Sequence, residues 1–215
     1  MRTLSCAAVL FDLDGVLVDS TRSVSRQYRL WASKTNLDPR VVEDIPHGVR
    51  SIDVVRQLAP HLDAEAEVKR IEKMEAEDRD VLVMAGAADL LKSIPEDRWC
   101  VVTSGTRYLA TSRLKYANLP IPRVMVAADD VSKGKPDPEP YLTGAKLLGM
   151  NASDCLVIED APAGILAAHA GGMRVIGITS TYPATALQAE IVVQKLAQIK
   201  VTSRDGGQTL TVNVE

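Results

Sequence analysis

Two aspartates follow a short apolar run near the start of the chain, and their spacing suggests metal-assisted chemistry. Residues 7–11 are rich in β-formers and stop abruptly at Asp12, with Asp14 and Gly15 directly behind. Two carboxylates in one tight turn repel each other, and a divalent cation that takes oxygen ligands would relieve the repulsion. If the cation is Mg2+, one carboxylate can face a phosphoryl group and the other a leaving oxygen. Aspartates are also common in ordinary turns and helix caps, so this motif alone leaves both interpretations open.

Three further polar clusters follow later apolar runs of the same kind. They are Thr103 with Ser104, then Lys135 in a loop, then Glu159 with Asp160. The carboxyl ends of parallel strands lie at one edge of a sheet, where ligands bind. We therefore expect these clusters to meet the two aspartates in one site.

The elements that must position these residues alternate between strand and helix from about residue 86 onward. This alternation predicts an α/β fold with a Rossmann-like parallel sheet and right-handed crossovers. We expect strands at 7–11, 99–102, 124–127, 156–158 and 175–178, and helices at 87–94, 141–148, 163–170 and 184–190. A further helix, which holds Leu109, Leu114 and Ala117, is expected after the polar turn at 103–106.

Residues 16–85 show helical periodicity and no strand-like runs. Helix starts are indicated at Ser20 or Thr21, at Asp38 before a proline, and at Ser51. The charged stretch 63–80 reads as an amphipathic helix whose glutamates and lysines form a solvated face. We therefore predict two domains: an α/β core of residues 1–15 and 86–215, and an inserted helical-bundle cap of residues 16–85.

The C-terminal stretch has a different pattern. Residues 199–203 and 208–214 flank a turn-like Arg-Asp-Gly-Gly sequence, and apolar and polar side chains alternate in the second of them. This pattern predicts a β-hairpin. An extra edge hairpin or a dimer contact explains it better than a catalytic role.

Composition sets the class of protein. The chain has 215 residues, 46% of them hydrophobic, and a net charge of -3 with no basic stripe, which disfavours nucleic-acid and membrane partners. Cys6, Cys100 and Cys155 lack C-x-x-C spacing and look like buried small side chains in a reducing compartment. No apolar leader or long apolar run is visible, so we expect a soluble cytoplasmic protein, either a monomer or a homodimer.

Four sequence strings together resemble a known superfamily. FDLDGVLVDS and VIEDAPAGI are highly specific, while TSGT and GKPDPEPY are weaker but occur in the right order and spacing. They resemble the four ordered motifs of the haloacid dehalogenase superfamily, over nearly the whole chain up to about Val193. The helical insertion after the first string is similar to the C1-type cap of that superfamily.

The resemblance implies roles for the acidic residues. Asp12 would attack phosphorus and become an aspartyl-phosphate, and Asp14 would protonate the leaving alcohol and then deprotonate the incoming water. Mg2+ would be held by the Asp12 carboxylate, the main-chain carbonyl of Asp14, and Asp160. Glu159 would support the site through a bound water or the neighbouring lysine.

The resemblance also implies a phosphate-binding set. Thr103 and the N–H groups of Ser104 and Gly105 would hold phosphate oxygens, and Lys135 would neutralise the phosphate and the nucleophile. Thr103 could instead merely cap a helix, and Lys133 could supply the cation. We favour Lys135 because the superfamily's lysine directly precedes a proline, as Lys135 does.

Within the superfamily, the strings PHGVRSIDVVRQLAP, VVTSGTR and GKPDPEPYL are similar to those of small-sugar and polyol phosphatases, such as the 2-deoxyglucose-6-phosphate and glycerol-phosphate phosphatases. In that group a cap loop selects the substrate, which makes His47, Gly48 and Arg50 the cap candidates here. Arg50 offers a fork of donors to phosphate or hydroxyls. Alternatively, His47 simply closes a helix and Arg50 pairs with a nearby acid. Arg107 is a further candidate for contact with the substrate.

The expected function is that of a Mg2+-dependent phosphatase acting on a small sugar or polyol phosphate. A phosphomutase of the β-phosphoglucomutase type is the main alternative, but such enzymes carry a histidine shortly after the first motif, and residues 20–31 contain none. A haloacid dehalogenase proper is disfavoured by Asp14, which serves phosphoester chemistry. A non-catalytic phosphometabolite-binding protein is disfavoured because both Asp12 and Asp14 are present.

Overall fold

The computed structural model describes residues 2–42, 45–204 and 209–215, which form eleven strands and seven α-helices. The strands are β1 (Arg2–Cys6), β2 (Ala8–Phe11), β3 (Val18–Asp19), β4 (Leu82–Val83), β5 (Trp99–Val102), β6 (Met125–Val126), β7 (Cys155–Glu159), β8 (Arg174–Ile178), β9 (Ile191–Val193), β10 (Ile199–Arg204) and β11 (Thr209–Val214). The helices are α1 (Thr21–Lys34), α2 (Ser51–Leu58), α3 (Ala64–Glu77), α4 (Ala87–Ser93), α5 (Arg107–Tyr116), α6 (Glu139–Leu148) and α7 (Pro162–Ala170).

A six-stranded parallel sheet lies at the centre of the fold, in the order β6-β5-β2-β7-β8-β9. Alternate residues of β2 pack on opposite faces: Ala8 and Leu10 join one apolar cluster, while Val9 and Phe11 join another, and none is exposed. A strand buried on both faces needs a continuous apolar run rather than an alternating one, which is what residues 8–11 supply. The predicted α/β parallel-sheet class is confirmed.

The inserted helices α1, α2 and α3 pack around their own apolar cluster, which includes Trp31, Val55 and Ile71. The chain enters and leaves this segment side by side, because β3 and β4 pair antiparallel with Val18 opposite Val83. Both features support an inserted cap, and its boundaries at residues 16 and 85 stay a prediction.

The face of α3 differs from the sequence interpretation. Glu67, Glu72 and Glu75 are buried, so describing the glutamates of this helix as a solvated face is wrong for these three. Glu67 accepts a hydrogen bond from the indole N–H of Trp31 at 3.0 Å, and the other two face α5. Each buried carboxylate has a donor on another element, which compensates for its removal from water.

Two predicted helices are shorter than expected. The helix expected at 184–190 is a single 3-10 turn, Ala184–Ala186, after which the chain extends to reach β9 at the edge of the sheet. The helix expected after Asp38 is a 3-10 turn, Pro39–Val42, and residues 43 and 44 lie outside the described residues.

The predicted C-terminal hairpin is confirmed, and a third strand joins it. β10 pairs antiparallel with β11, and β1 pairs with the other edge of β11. Leu210 and Val212 are fully buried in the same cluster as Phe11. The hairpin thus covers one side of the core. Residues 205–208 lie outside the described residues, and a dimer contact made by the hairpin stays a prediction.

Two expectations from composition concern the cysteines and membranes. Cys6, Cys100 and Cys155 are buried and carry free thiols. Among the helices described, none has both the length and the apolar composition needed to cross a bilayer.

Candidate active site

The predicted polar clusters meet at the carboxyl edge of the central sheet. Asp12 directly follows β2, Thr103 follows β5, and Asp160 follows β7. These three strands are neighbours and parallel, so their last residues lie side by side. Lys135 reaches the same place from the loop that precedes α6.

Lys135 is the buried cation of the site. Its ammonium lies 2.5 Å from Oδ1 of Asp12, 2.8 Å from Oε1 of Glu159 and 3.1 Å from the carbonyl oxygen of Val102, so each of its three protons has an acceptor. Burial alone would lower the pKa of Lys135, but the two carboxylates outweigh it and raise the pKa. Lys133 is exposed instead and pairs with Asp137, so only Lys135 of the two candidates reaches the acidic cluster.

Three buried carboxylates form a cluster around this lysine. Asp12, Glu159 and Asp160 each offer an oxygen within 4.8 Å of the others. Burial raises the pKa of Asp12 to about 8, and Glu159 and Asp14 add to the effect against the attraction of Lys135. Burial likewise raises the pKa of Asp160 well above its usual range. A divalent cation would favour the ionised carboxylates, and hard oxygen donors are the ligands that Mg2+ takes.

Glu159 has its oxygens already occupied by protein donors. Oε1 accepts from Lys135 at 2.8 Å and from the Tyr141 hydroxyl at 3.1 Å, while Oε2 accepts from the N–H groups of Asp160 at 2.7 Å and Ala161 at 2.8 Å. Four donors on one carboxylate indicate a group that orients its neighbours. Asp12 and Asp160 are therefore the side chains better placed to hold a cation directly.

The Asp14 carboxylate points away from that cluster. Its Oδ1 accepts from the Ser20 hydroxyl at 2.7 Å, and its Oδ2 lies 2.8 Å from Nη1 of Arg113. Ser20 occupies the N-cap position of α1, as predicted, but its hydroxyl donates to Asp14 and makes no capping hydrogen bond. Asp14 is part-exposed and borders the cavity above Asp12.

Arg113 is a residue of the site that the sequence analysis missed. It lies on α5 and is almost fully buried, and it pairs with Asp14 through Nη1 and with Glu75 of α3 through Nη2. Burial alone would lower the pKa of Arg113, but the two carboxylates outweigh it and raise the pKa. The available signal was its position four residues after Leu109 on the apolar side of α5, where a charged side chain needs partners.

The turn after β5 forms another wall of the cavity. Thr106, not Thr103, is the N-cap of α5, so the alternative that Thr103 caps the helix is not what the structure shows. Thr103 is buried and its hydroxyl accepts from the N–H of Gly105 at 3.1 Å. The Ser104 hydroxyl donates to the carbonyl of Gly48 at 2.7 Å, which ties this turn to the inserted segment.

A cavity of about 390 Å³ lies between the sheet edge and the inserted helices. Asp12, Asp14 and Thr103 line it from the sheet side, and His47 and Gly48 line it from the inserted segment. The volume falls within the range of small-molecule sites. The backbone N–H of His47 donates to the Tyr182 hydroxyl at 3.0 Å. Burial lowers the pKa of the His47 imidazole.

Gly48 is required by its conformation and by its surroundings. Its φ of +86° lies in the left-handed region, and a Cβ built there would come within 2.8 Å of the Ala161 Cβ. Only glycine adopts this conformation without strain while letting the loop approach the sheet edge so closely.

Arg50 does not line the cavity. Its guanidinium pairs with Asp53 through Nε at 2.8 Å and Nη2 at 3.1 Å, and Nη1 donates to the carbonyls of Val131 and Ser132. This arrangement matches the alternative in which Arg50 pairs with a nearby acid, and it does not support the predicted donation to substrate. Arg107 likewise pairs away from the cavity, with Asp130.

Comparison with known proteins tests the resemblance seen in the sequence. A sequence model described as haloacid dehalogenase-like hydrolase matches residues 9–178, which is most of the chain. This chain belongs to the haloacid dehalogenase-like hydrolase family. The match runs from β2 to β8 and so includes all four clusters that meet at the sheet edge.

Curated relatives extend the likeness over almost the full length. Hexitol phosphatase A of Escherichia coli is 38% identical over 214 residues, covering 96% of this chain and 99% of that protein. Glycerol-1-phosphate phosphohydrolase 2 of Saccharomyces cerevisiae is 33% identical, covering 93% and 86%. 2-deoxyglucose-6-phosphate phosphatase 2 of the same yeast is 33% identical, covering 99% and 98%.

Solved structures agree on the fold. A hydrolase from Pseudomonas syringae superimposes with a TM-score of 0.79 at 27% identity, covering 89% of this chain and 94% of that one. A β-phosphoglucomutase from Clostridium difficile gives a TM-score of 0.77 at 23% identity, covering 91% and 93%. At that identity the second likeness shows the fold alone.

Proposed function

We propose that this haloacid dehalogenase-like hydrolase is a Mg2+-dependent phosphatase that hydrolyses a small sugar or polyol phosphate through an aspartyl-phosphate on Asp12. The observation that carries the proposal is the position of Asp12, which borders the cavity between the sheet edge and the inserted helices and is hydrogen-bonded to Lys135 within a buried acidic cluster. The names of the relatives, which are phosphatases of hexitol, glycerol and deoxyglucose phosphates, support the substrate class.

In the first displacement, a carboxylate oxygen of Asp12 attacks phosphorus, and the bond from phosphorus to the substrate's alcohol oxygen breaks. Asp14 donates a proton to that departing oxygen, which otherwise leaves as a high-energy alkoxide. Lys135 balances the charge of Asp12 and of the transferred group. Thr103 and the turn that enters α5 hold the phosphate oxygens.

In the second displacement, water attacks phosphorus of the aspartyl-phosphate while Asp14 takes a proton from it. The bond between phosphorus and the Asp12 oxygen breaks, which releases phosphate and restores the carboxylate. Asp14 thus gains in this step the proton that it gives away in the first.

Magnesium fits the oxygen donors at the base of this cavity. We assign its binding to the Asp12 carboxylate, the main-chain carbonyl of Asp14, and Asp160. When bound there, Mg2+ lowers the repulsion between the phosphate and the acidic cluster. Glu159 keeps Asp160 and Lys135 in place through its bonds to both residues.

The substrate class follows from the size and the lining of the cavity. A volume of about 390 Å³ holds one small phosphorylated metabolite. Ser25, Tyr28, His47 and Ser51 also border the cavity and offer polar groups to the hydroxyls of a sugar or polyol.

The test is phosphate release from a panel of hexose, pentose, hexitol and glycerol phosphates, with and without Mg2+. We expect release that needs Mg2+, and no release by Asp12→Asn, which keeps the shape of the side chain but lacks a nucleophilic carboxylate. Intact-mass measurement after mixing wild type with substrate should show a phosphorylated species that Asp12→Asn lacks. Full activity of Asp12→Asn would refute the assigned nucleophile.

A further inference from the structure

The guanidinium of Arg113 joins the candidate proton carrier to the inserted helices. Nη1 lies 2.8 Å from Oδ2 of Asp14, and Nη2 donates to Oε2 of Glu75. Arg113 and Glu75 are 4% and 3% exposed, so their contact is shielded from water, while Asp14 is 27% exposed. Arg113 of α5 and Glu75 of α3 therefore meet beside Asp14, and both border the cavity.

The arrangement is poorly suited to a purely stabilising role. Burying an ion pair removes two charges from water, and apolar side chains of similar size often give equal or greater stability. The Nε–H of Arg113 is buried and has no hydrogen-bond partner among the residues described. An unpaired buried donor is destabilising, which suggests that the orientation of the guanidinium is set by Asp14 and Glu75.

A second glutamate on α3 fixes the position of the first. Glu72 precedes Glu75 by three residues and accepts from both the backbone N–H and the hydroxyl of Thr106, the residue that caps α5. α3 thus contacts α5 at two points. Glu72 contacts Thr106 at the N-terminus of α5, and Glu75 contacts Arg113 further along α5. The position of Glu75 beside Arg113 therefore depends on how α3 packs against α5.

We infer that Arg113 is a positioning residue for proton transfer. Its Nη1 holds Oδ2 of Asp14, and its Nη2 is held by Glu75, so that Oδ1 of Asp14 is the oxygen that exchanges the proton. The inference rests on the proposed function. A hydrogen bond to Oδ2 fixes the rotation of the carboxyl group and keeps that oxygen from carrying the proton. Glu75 holds Nη2 of the guanidinium, so Asp14 receives a directional contact from a group whose orientation is fixed.

The atoms of the step are then defined. The proton moves from Oδ1 of Asp14 to the alcohol oxygen as the bond from that oxygen to phosphorus breaks, and the electron pair of the bond stays on the oxygen. In the hydrolytic step, Oδ1 takes a proton from water. The Ser20 hydroxyl beside Oδ1 can donate or accept by rotation and so fits both states of that oxygen.

The leaving group provides the test. Nitrophenolate departs from p-nitrophenyl phosphate without a proton, whereas the alcohol of a polyol phosphate needs one. Because kcat/KM covers only the steps up to loss of the alcohol, the ratio of kcat/KM for the polyol phosphate to that for the aryl phosphate reports proton donation. We would measure this ratio for wild type, Asp14→Asn, Arg113→Met and Arg113→Lys.

We expect Asp14→Asn to lower kcat/KM for the polyol phosphate by about 10²- to 10⁴-fold, the usual contribution of general acid catalysis, with a much smaller loss for the aryl phosphate. Arg113→Met should reproduce part of this pattern, with a selective loss of about tenfold or more. Arg113→Lys keeps the charge but lacks the planar fork that holds two carboxylates, so it should lie between Arg113→Met and wild type.

Arg56→Met is the matched control, because Arg56 forms an exposed ion pair with Glu65 on the inserted helices. We expect it to leave both kcat/KM values unchanged. Circular dichroism would establish that each variant is folded. If Arg113→Met does not fold, Arg113→Lys decides, since it keeps a positive charge between the buried acids.

The two proposals fail in different ways. If wild type releases phosphate from neither substrate, the proposed function is wrong and the inference falls with it. If Asp14→Asn shows the selective loss but folded Arg113 variants lower both kcat/KM values equally, or change neither, Arg113 does not position Asp14 and the proposed function stands.

Discussion

Lys135 balances the buried negative charge of the site through direct contacts with two carboxylates. Its contacts with Asp12 and Glu159 are both buried, so little solvent screens them. Removal of one partner from such a network leaves the others as unpaired charges in a dry environment. The residue therefore contributes to folding as well as to the proposed chemistry.

Replacing Lys135 should destabilise the fold. We expect Lys135→Met to lower the free energy of unfolding by about 3–5 kcal/mol, because Asp12 and Glu159 would lose their cation. Urea denaturation without added metal measures the effect. Lys133→Met is the control, since Lys133 is exposed, and its effect should stay within about 0.5 kcal/mol. Equal stability of the two variants would contradict this account of Lys135.

Glu75 should make stability depend on pH. Burial raises its pKa from 4.5 to about 7, so the folded state favours the protonated form. The contribution of this group is complete below pH 4.5 and is lost as the pH rises through about 7. Glu75→Gln removes the titration, so its stability relative to wild type should rise by about 3 kcal/mol between pH 4.5 and 7.5. Urea denaturation at both pH values tests this, and a constant difference would contradict it.

The positions of some site residues could be predicted from the sequence, whereas those of others could not. Asp12, Lys135 and Asp160 lie in short strings after strand-like runs, and their meeting follows from parallel topology alone. The pairing of Arg113 with Glu75 could not be foreseen, because it depends on how the inserted helices sit over α5. For the same reason, the sequence could not decide whether Arg50 contacts the substrate or pairs with a nearby acid, which the structure shows to be Asp53.

At the scale of elements, α7 approaches the end of β7 unusually closely. A Cβ built on Gly164 would lie 1.6 Å from Oε1 of Glu159, so this helix can pack here only with glycine at that position. The contact fixes the carboxylate that receives Lys135 and Tyr141. Local packing of one helix therefore controls the orientation of charges in the site.

Gly164→Ala should disturb the site through this contact. The added methyl group must displace Glu159 or shift α7, and we expect kcat to fall by about tenfold or more, as misplacing groups near the chemistry by about 1 Å does. Gly171→Ala at the end of the same helix is the control, because a Cβ there meets its nearest atom at an ordinary 3.4 Å. Equal rates for both variants would argue against the role of Glu159.

Elements with a clear sequence pattern were predictable, whereas β1, β3 and β4 were not. α3, α4 and β5 follow from periodicity and clear stop signals. β3 and β4 have two residues each, too few to show a period, and their pairing joins residues 63 and 65 positions apart. β1 alternates weakly and is stabilised by β11 at the far end of the chain, which no local pattern reveals.

For the molecule as a whole, the small sheet of β1, β11 and β10 closes one side of the core. Leu210 and Val212 are fully buried, together with residues of the central sheet. Because these contacts join distant parts of the sequence, the C-terminal hairpin belongs to the cooperative core rather than to a loose tail.

Leu210→Ala should therefore destabilise the whole molecule. Truncating a fully buried leucine typically lowers the free energy of unfolding by about 2–5 kcal/mol. We expect this in urea denaturation, with kcat/KM of the folded enzyme unchanged, since Leu210 does not border the cavity. Thr202→Ala on the exposed side of β10 should have little effect. A loss of activity without a loss of stability would contradict this assignment.

Antiparallel pairing of β1 with β11 also places Arg2 opposite Val214, so these two residues are spatial neighbours. A short flexible peptide can join them, and the polypeptide can then be opened at an exposed turn such as Gly149, beyond α6. Such a circular permutant keeps every pairing of the central sheet while reversing the order in which its two halves leave the ribosome.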